Sequence, residues 1–140
     1  MSIQMPHYEL FKRNGKRWAR LLSNKTYQTP ITGHLVHFNN GHFRCSMFAD
    51  GLLTVYAMTE WDLGTMAIDD PAMVYASLPH DAGCYMTDAG VLPWSCRMQF
   101  DKYLWTCLSQ AGAKVSRFWR TPIVMLNSQL IARWGRRRQK

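Results

Sequence analysis

The sequence predicts an α+β fold: an N-terminal antiparallel β meander, then an antiparallel helical hairpin and a C-terminal helix. Three observations predict it. Up to Glu60, short runs rich in β-branched and aromatic residues are punctuated by Asn-Gly and Asp-Gly, pairs that accept the positive φ of tight turns. After Glu60, apolar residues recur at spacings that suit one buried helical stripe. Strands and helices thus fall in separate blocks, which is the α+β pattern.

Taken in order, residues 12–18 (Lys-Arg-Asn-Gly-Lys-Arg-Trp) suggest a first hairpin or an irregular cover. Residues 29–33 open the meander, and residues 34–38 read as a short strand. Asn39-Asn40-Gly41 turns the chain, residues 42–48 return, and Ala49-Asp50-Gly51 turns it again. Residues 52–58 form a third strand. Residues 61–71 then read as a loop running to a helix start, with Asp70 as N-cap and Pro71 at the first helical position.

The first helix runs from Pro71 to about Tyr85 and buries Met73, Val74, Ser77 and Leu78. Pro79 lacks a backbone donor, so a kink or a restart is expected there. Gly90 and Pro93 end this element. Ser95 caps a second helix from about Cys96 to Gln110, whose core stripe is Phe100, Leu104 and Cys107. Ala111-Gly112-Ala113 stops it. A last helix is expected from about Ser116 to Trp134, with a kink at Pro122.

A chain of 140 residues makes one domain, expected to span residues 1–135, with a basic tail at 136–140. Its apolar share of 47% and charged share of 19% exclude a disordered protein. The opening Met1-Ser2-Ile3-Gln4-Met5-Pro6-His7 lacks the apolar run of a signal peptide. No stretch has about 18 uninterrupted apolar residues, so no transmembrane segment is expected. The four cysteines include no Cys-x-x-Cys pair, and without a secretory signal they read as reduced.

The net charge of +8 is lopsided. Arg133, Arg136, Arg137, Arg138 and Lys140 crowd the end, and Lys12, Arg13, Lys16, Arg17 and Arg20 form a second cluster. Such clusters attract phosphate, in nucleic acid or in lipid headgroups, or are simply solvated. Trp94, Trp105, Trp119 and Trp134 fit an interfacial belt or core packing. Phe118-Trp119, flanked by Arg117 and Arg120, is the best candidate for a membrane- or partner-touching face. His34, His37, His42 and Cys45 invite a zinc reading. However, His34 and His37 differ by an odd number and point to opposite faces of one strand.

The residues that carry chemistry are His80 and Asp81, followed 21 residues after the histidine by Asp101. Histidine titrates near neutral pH, so it can take a proton from water and return it to a leaving group. A nearby aspartate can fix its tautomer, and another can hold a hard cation. The same three residues serve equally as a buried polar lock between two helices. Asp69-Asp70 fits an N-cap better than a metal site.

The quoted elements resemble two known groups. Glu60-Trp61-Asp62-Leu63-Gly64-Thr65, Ala76-Ser77-Leu78-Pro79-His80-Asp81 and Arg97-Met98-Gln99-Phe100-Asp101, in that order, resemble a phage-encoded family of unknown function. That likeness covers residues 31–135 and implies a place in the host cytoplasm or the virion, with other phage proteins as partners. More distantly, the chain resembles the core of the phospholipase A2 superfamily, which has a calcium loop, a His-Asp helix and an antiparallel helix bearing Asp. The likeness implies Ca²⁺ held by Asp81 and by the carbonyls around Asp62, Leu63 and Gly64, as far as Met66. It implies His80 as general base, Asp101 as its support, and a phospholipid or membrane surface as substrate. The chain departs from that pattern at three places: Cys84 stands where a tyrosine is usual, Leu63 where a glycine is usual, and Pro79 precedes the histidine. A nucleic-acid module rests on charge alone.

Overall fold

The computed structural model describes residues 3–63 and 71–112. Within them the order is β1 (Tyr8–Arg13), β2 (Lys16–Leu21), β3 (Lys25–Gln28), β4 (Val36–Asn39), β5 (Arg44–Met47), β6 (Leu52–Val55), β7 (Glu60–Asp62), α1 (Pro71–Asp88) and α2 (Ser95–Gln110). Antiparallel strands come first and helices second, as the α+β reading requires. The last helix with its kink at Pro122, residues 64–70 with the Asp70 cap, and the basic tail lie outside the described residues.

The strands form two sheets, with orders β1-β2-β7 and β3-β6-β5-β4. The Asn14-Gly15 turn joins β1 to β2 with both residues at positive φ, 53° and 77°, so residues 12–18 are a true hairpin. β4 and β5 pair from Val36↔Met47 to Asn39↔Arg44. Their loop is held by Asn40, whose side-chain oxygen accepts from the backbone N–H of His42 and Phe43. Gly51 turns the chain into β6 at φ +91°, and a Cβ there would strike the Thr29 carbonyl.

Two short strands escape the sequence reading. β3 pairs with β6 from Lys25↔Val55 to Gln28↔Leu52, and β7 pairs with β2 where a loop is expected. Residues 25–28 alternate exposed and buried only through Tyr27, too short a pattern for periodicity to register. β7 is three residues long and is fixed by tertiary contacts: Trp61 is fully buried and its indole N–H donates to Ser77 Oγ of α1 at 3.1 Å.

α1 is the central element. Every residue from Ala72 to His80 is buried, as expected of a helix covered on all sides. Tyr85 stacks on Phe38 and packs against Phe43, which ties α1 to the second sheet. The helix runs unbroken through Pro79 to Asp88, so the expected kink or restart is replaced by a local repair. Pro79 has no N–H for the Tyr75 carbonyl. The Tyr27 hydroxyl donates to that carbonyl instead, at 2.7 Å.

α2 packs against α1 through Phe100, Leu104 and Cys107, all fully buried, as its stripe predicts. Two details differ from expectation. The N-cap is Trp94, with no side-chain cap bond, and Ser95 already lies inside the helix. α1 also runs three residues past the expected end near Tyr85, so the hairpin connection is only residues 89–94. Close approach of the helices depends on Gly83, because a Cβ there would fall within the Phe100 ring.

Candidate functional site

His80, Cys84 and Asp88 are spaced one helical turn apart on α1, and Arg97 and Asp101 one turn apart on α2. Residues four apart share a helix face, so the hairpin joins two ladders of polar groups in opposite directions. On the first rung, His80 Nε2 donates to Asp101 Oδ1 at 2.7 Å. A carboxylate can only accept, so the proton on this bond belongs to the imidazole. On the second rung, Arg97 donates to Cys84 Sγ at 3.1 Å, to Thr87 Oγ1 at 3.0 Å and to Asp88 Oδ1 at 2.6 Å.

The rungs are joined along α1. His80 Nδ1, the ring nitrogen that does not face Asp101, lies 3.8 Å from Cys84 Sγ. His80 is 1% exposed and Arg97 0%, so both depend on these partners for compensation. The Arg97 guanidinium also stacks over the Trp94 ring at 4.8 Å, which explains a tryptophan at the N-cap where a polar side chain is usual.

The electrostatics of the rungs follow from burial and neighbours. Burial opposes the charged imidazole. The Cys84 sulfur, the Asp101 bond and the Asp81 carboxyl outweigh it and raise His80 to about 10. Asp81, partly exposed at the surface, is pushed up to about 7 by burial of its carboxyl and by Asp62, against the pull of His80 and Arg97. Asp62 therefore acts on Asp81 as a neighbouring like charge.

The predicted site residues fall into two groups. His80 and Asp101 are in direct contact. Asp81, about 100° further round α1, answers electrostatically to Asp62 on β7. Leu63 follows β7, its N–H bonded to the Arg17 carbonyl. Gly64 and Met66 lie outside the described residues. Among the described residues no group of three or more His, Cys, Asp or Glu is placed to hold a metal. Ca²⁺ takes roughly six to eight oxygens, and the described residues of the expected calcium site contribute two carboxylates, Asp62 and Asp81.

The histidine-rich stretch is dispersed. His37 bonds Ser46, His42 faces Glu60 at 3.6 Å, His34 lies 3.6 Å from the Cys96 sulfur, and burial pushes the Cys45 thiol up to about 12. The N-terminal basic cluster is partly neutralised too. Glu60 accepts from Arg13 and Arg20, and Arg20 also reaches Glu9. Those arginines contribute less free positive charge than composition suggests.

Sequence reasoning missed Cys84 and Arg97 as members of the site. The signal was available: Cys84 is four residues after His80, and Arg97 four before Asp101. No family model matches this chain, and no curated protein or solved structure matches it either.

Proposed function

We propose that this chain is a phage-encoded, phospholipase A2-like hydrolase of carboxylic esters that acts in membrane breach or lysis. One observation carries the reading: a buried histidine with one ring nitrogen bound to an aspartate at 2.7 Å and the other 3.8 Å from the Cys84 sulfur. Asp101 fixes the tautomer and orientation of the ring, and His80 moves the proton between the attacking nucleophile and the leaving alcohol. Asp81 and Asp62 are the described residues that would hold Ca²⁺, which when bound would polarise an ester carbonyl. Phospholipid as substrate is supported by the resemblance of the motifs and by the net charge of +8, which favours anionic headgroups.

A second reading, a non-catalytic phage virion or accessory protein, is favoured by the burial of His80 and Arg97. Paired as they are, they also lock two helices together. The two readings separate on phosphatidylglycerol vesicles with and without millimolar Ca²⁺. The hydrolase releases fatty acid and loses Ca²⁺ stimulation in Asp81→Ala, whereas the scaffold releases none under any condition. A cation site also raises the melting temperature with Ca²⁺ in the wild type alone.

A further inference from the structure

We propose that Cys84 is the nucleophile of this site: its sulfur attacks the ester carbonyl as the thiolate partner of His80, and the acyl group passes through a thioester. The inference rests on the hydrolase reading above and names the attacking atom within it.

The geometry places the three groups in the order a thiol hydrolase needs. Sγ of Cys84 lies 3.8 Å from Nδ1 of His80, and Nε2 of the same ring is bound to Asp101 at 2.7 Å. That is nucleophile, base and orienting carboxylate in sequence, within the looser spacing expected without substrate. With Nε2 on the carboxylate, Nδ1 is the ring nitrogen left to exchange a proton with sulfur.

A second contact points the same way. Arg97, itself 0% exposed, donates to Sγ at 3.1 Å, which fixes the position of the sulfur beside the imidazole. Cys45, Cys96 and Cys107 are all buried, whereas Cys84 is partly exposed; Cys96 also has an imidazole nearby, His34 at 3.6 Å, but it lacks that access. Cys84 is thus the cysteine that combines access with an imidazole and a guanidinium on its sulfur.

The chemistry balances with water as the co-reactant. The Cys84 thiolate forms a C–S bond to the carbonyl carbon, and the π pair moves to oxygen. Its return breaks the C–O bond, and the leaving alkoxide takes the proton from His80 Nδ1. Water then gives a proton back to Nδ1 as its oxygen attacks the thioester. Loss of the thiolate frees the carboxylic acid and restores the starting pair. Arg97 and Asp101 are positioning residues here, acting through Cys84 and His80.

The test uses the full chain with p-nitrophenyl butyrate and, separately, iodoacetamide, followed by mass spectrometry of the intact protein and its peptides. The expected result is hydrolysis lost in Cys84→Ala and reduced in Cys84→Ser, with a butyryl group found on Cys84 in rapidly quenched wild type. Alkylation needs no substrate, and Cys84 is expected to react about tenfold or more faster than glutathione, with the excess lost in His80→Gln. Hydrolysis that survives in Cys84→Ala but is lost in His80→Gln overturns the thiol nucleophile and leaves the hydrolase reading intact. Absence of hydrolysis in the wild type, with Cys84 no faster than glutathione, overturns both. A circular-dichroism spectrum matched to wild type qualifies each variant, and Cys84→Ser keeps the test available should Cys84→Ala misfold.

Discussion

The hydroxyl of Tyr27 on β3 donates to the carbonyl of Tyr75 on α1 at 2.7 Å, the acceptor that Pro79 leaves without its helical donor. A proline inside a helix ordinarily costs about 3 kcal/mol, and here part of that cost is offset by a side chain from the sheet. The bond also lies about one turn before His80, so it holds straight the segment that carries the His80–Asp101 rung.

Tyr27→Phe is expected to lower stability by about 1–3 kcal/mol, because it leaves a buried carbonyl unsatisfied. In a Pro79→Ala background the backbone N–H returns and competes for the same carbonyl. The same tyrosine substitution should then lose less than about half of that amount. Urea denaturation of the four proteins in the cycle measures the difference.

Gly83→Ala sets helix propensity against packing. Alanine favours a helix over glycine by about 1 kcal/mol, but its methyl group would enter the Phe100 ring. Overpacking of this kind typically costs about 1–3 kcal/mol, so a net loss is expected. Phe100→Leu in the Gly83→Ala background should recover part of it, read as a shift of the urea midpoint.

Stability should fall as pH rises through the neutral and alkaline range. His80 is raised from 6.5 to about 10, so its contribution is complete below pH 6.5 and is lost as pH rises through 10. Asp81 is raised from 3.8 to about 7. It therefore favours the fold most below pH 3.8, and that contribution is lost as pH rises through 7. Glu60, held down by Arg13 and Arg20 against its burial, acts in the opposite sense and loses its contribution as pH falls. Urea midpoints at pH 5, 7 and 9 should decline in order above pH 5. His80→Gln should flatten the step from 7 to 9, and Asp81→Asn the step from 5 to 7.

Arg97→Met is expected to be strongly destabilising, by about 3–5 kcal/mol, because it removes the bonds of a fully buried guanidinium to Asp88, Thr87 and Cys84. Arg97→Lys should recover only part of this, since an ammonium cannot reproduce three directed bonds from one planar fork. Thermal unfolding at one pH distinguishes the two variants.

What the sequence made legible follows from the range of each physical signal. The Asn14-Gly15 and Asp50-Gly51 turns and the Phe100, Leu104 and Cys107 stripe are local patterns, and the fold has them where expected. β3 and β7 were not legible, because four and three residues are too few for periodicity and their pairing partners are distant. The tolerance of Pro79 was hidden for the same reason: its compensation comes from Tyr27, 48 residues before Tyr75. In the site, the His80–Asp101 contact follows from a short helical hairpin. The roles of Cys84 and Arg97 emerge only when the two helices are set in register.

The central claim is that the His80–Asp101 pair moves protons in ester hydrolysis. The most direct test compares initial rates of fatty-acid release from phosphatidylglycerol vesicles for wild type, His80→Gln and Asp101→Asn, with folding matched by circular dichroism. Loss of a general acid–base group typically costs about 10²–10⁴-fold in rate, so His80→Gln should fall by at least about a hundredfold and Asp101→Asn by less. Equal rates in all three proteins, or no release from the wild type, would contradict the claim.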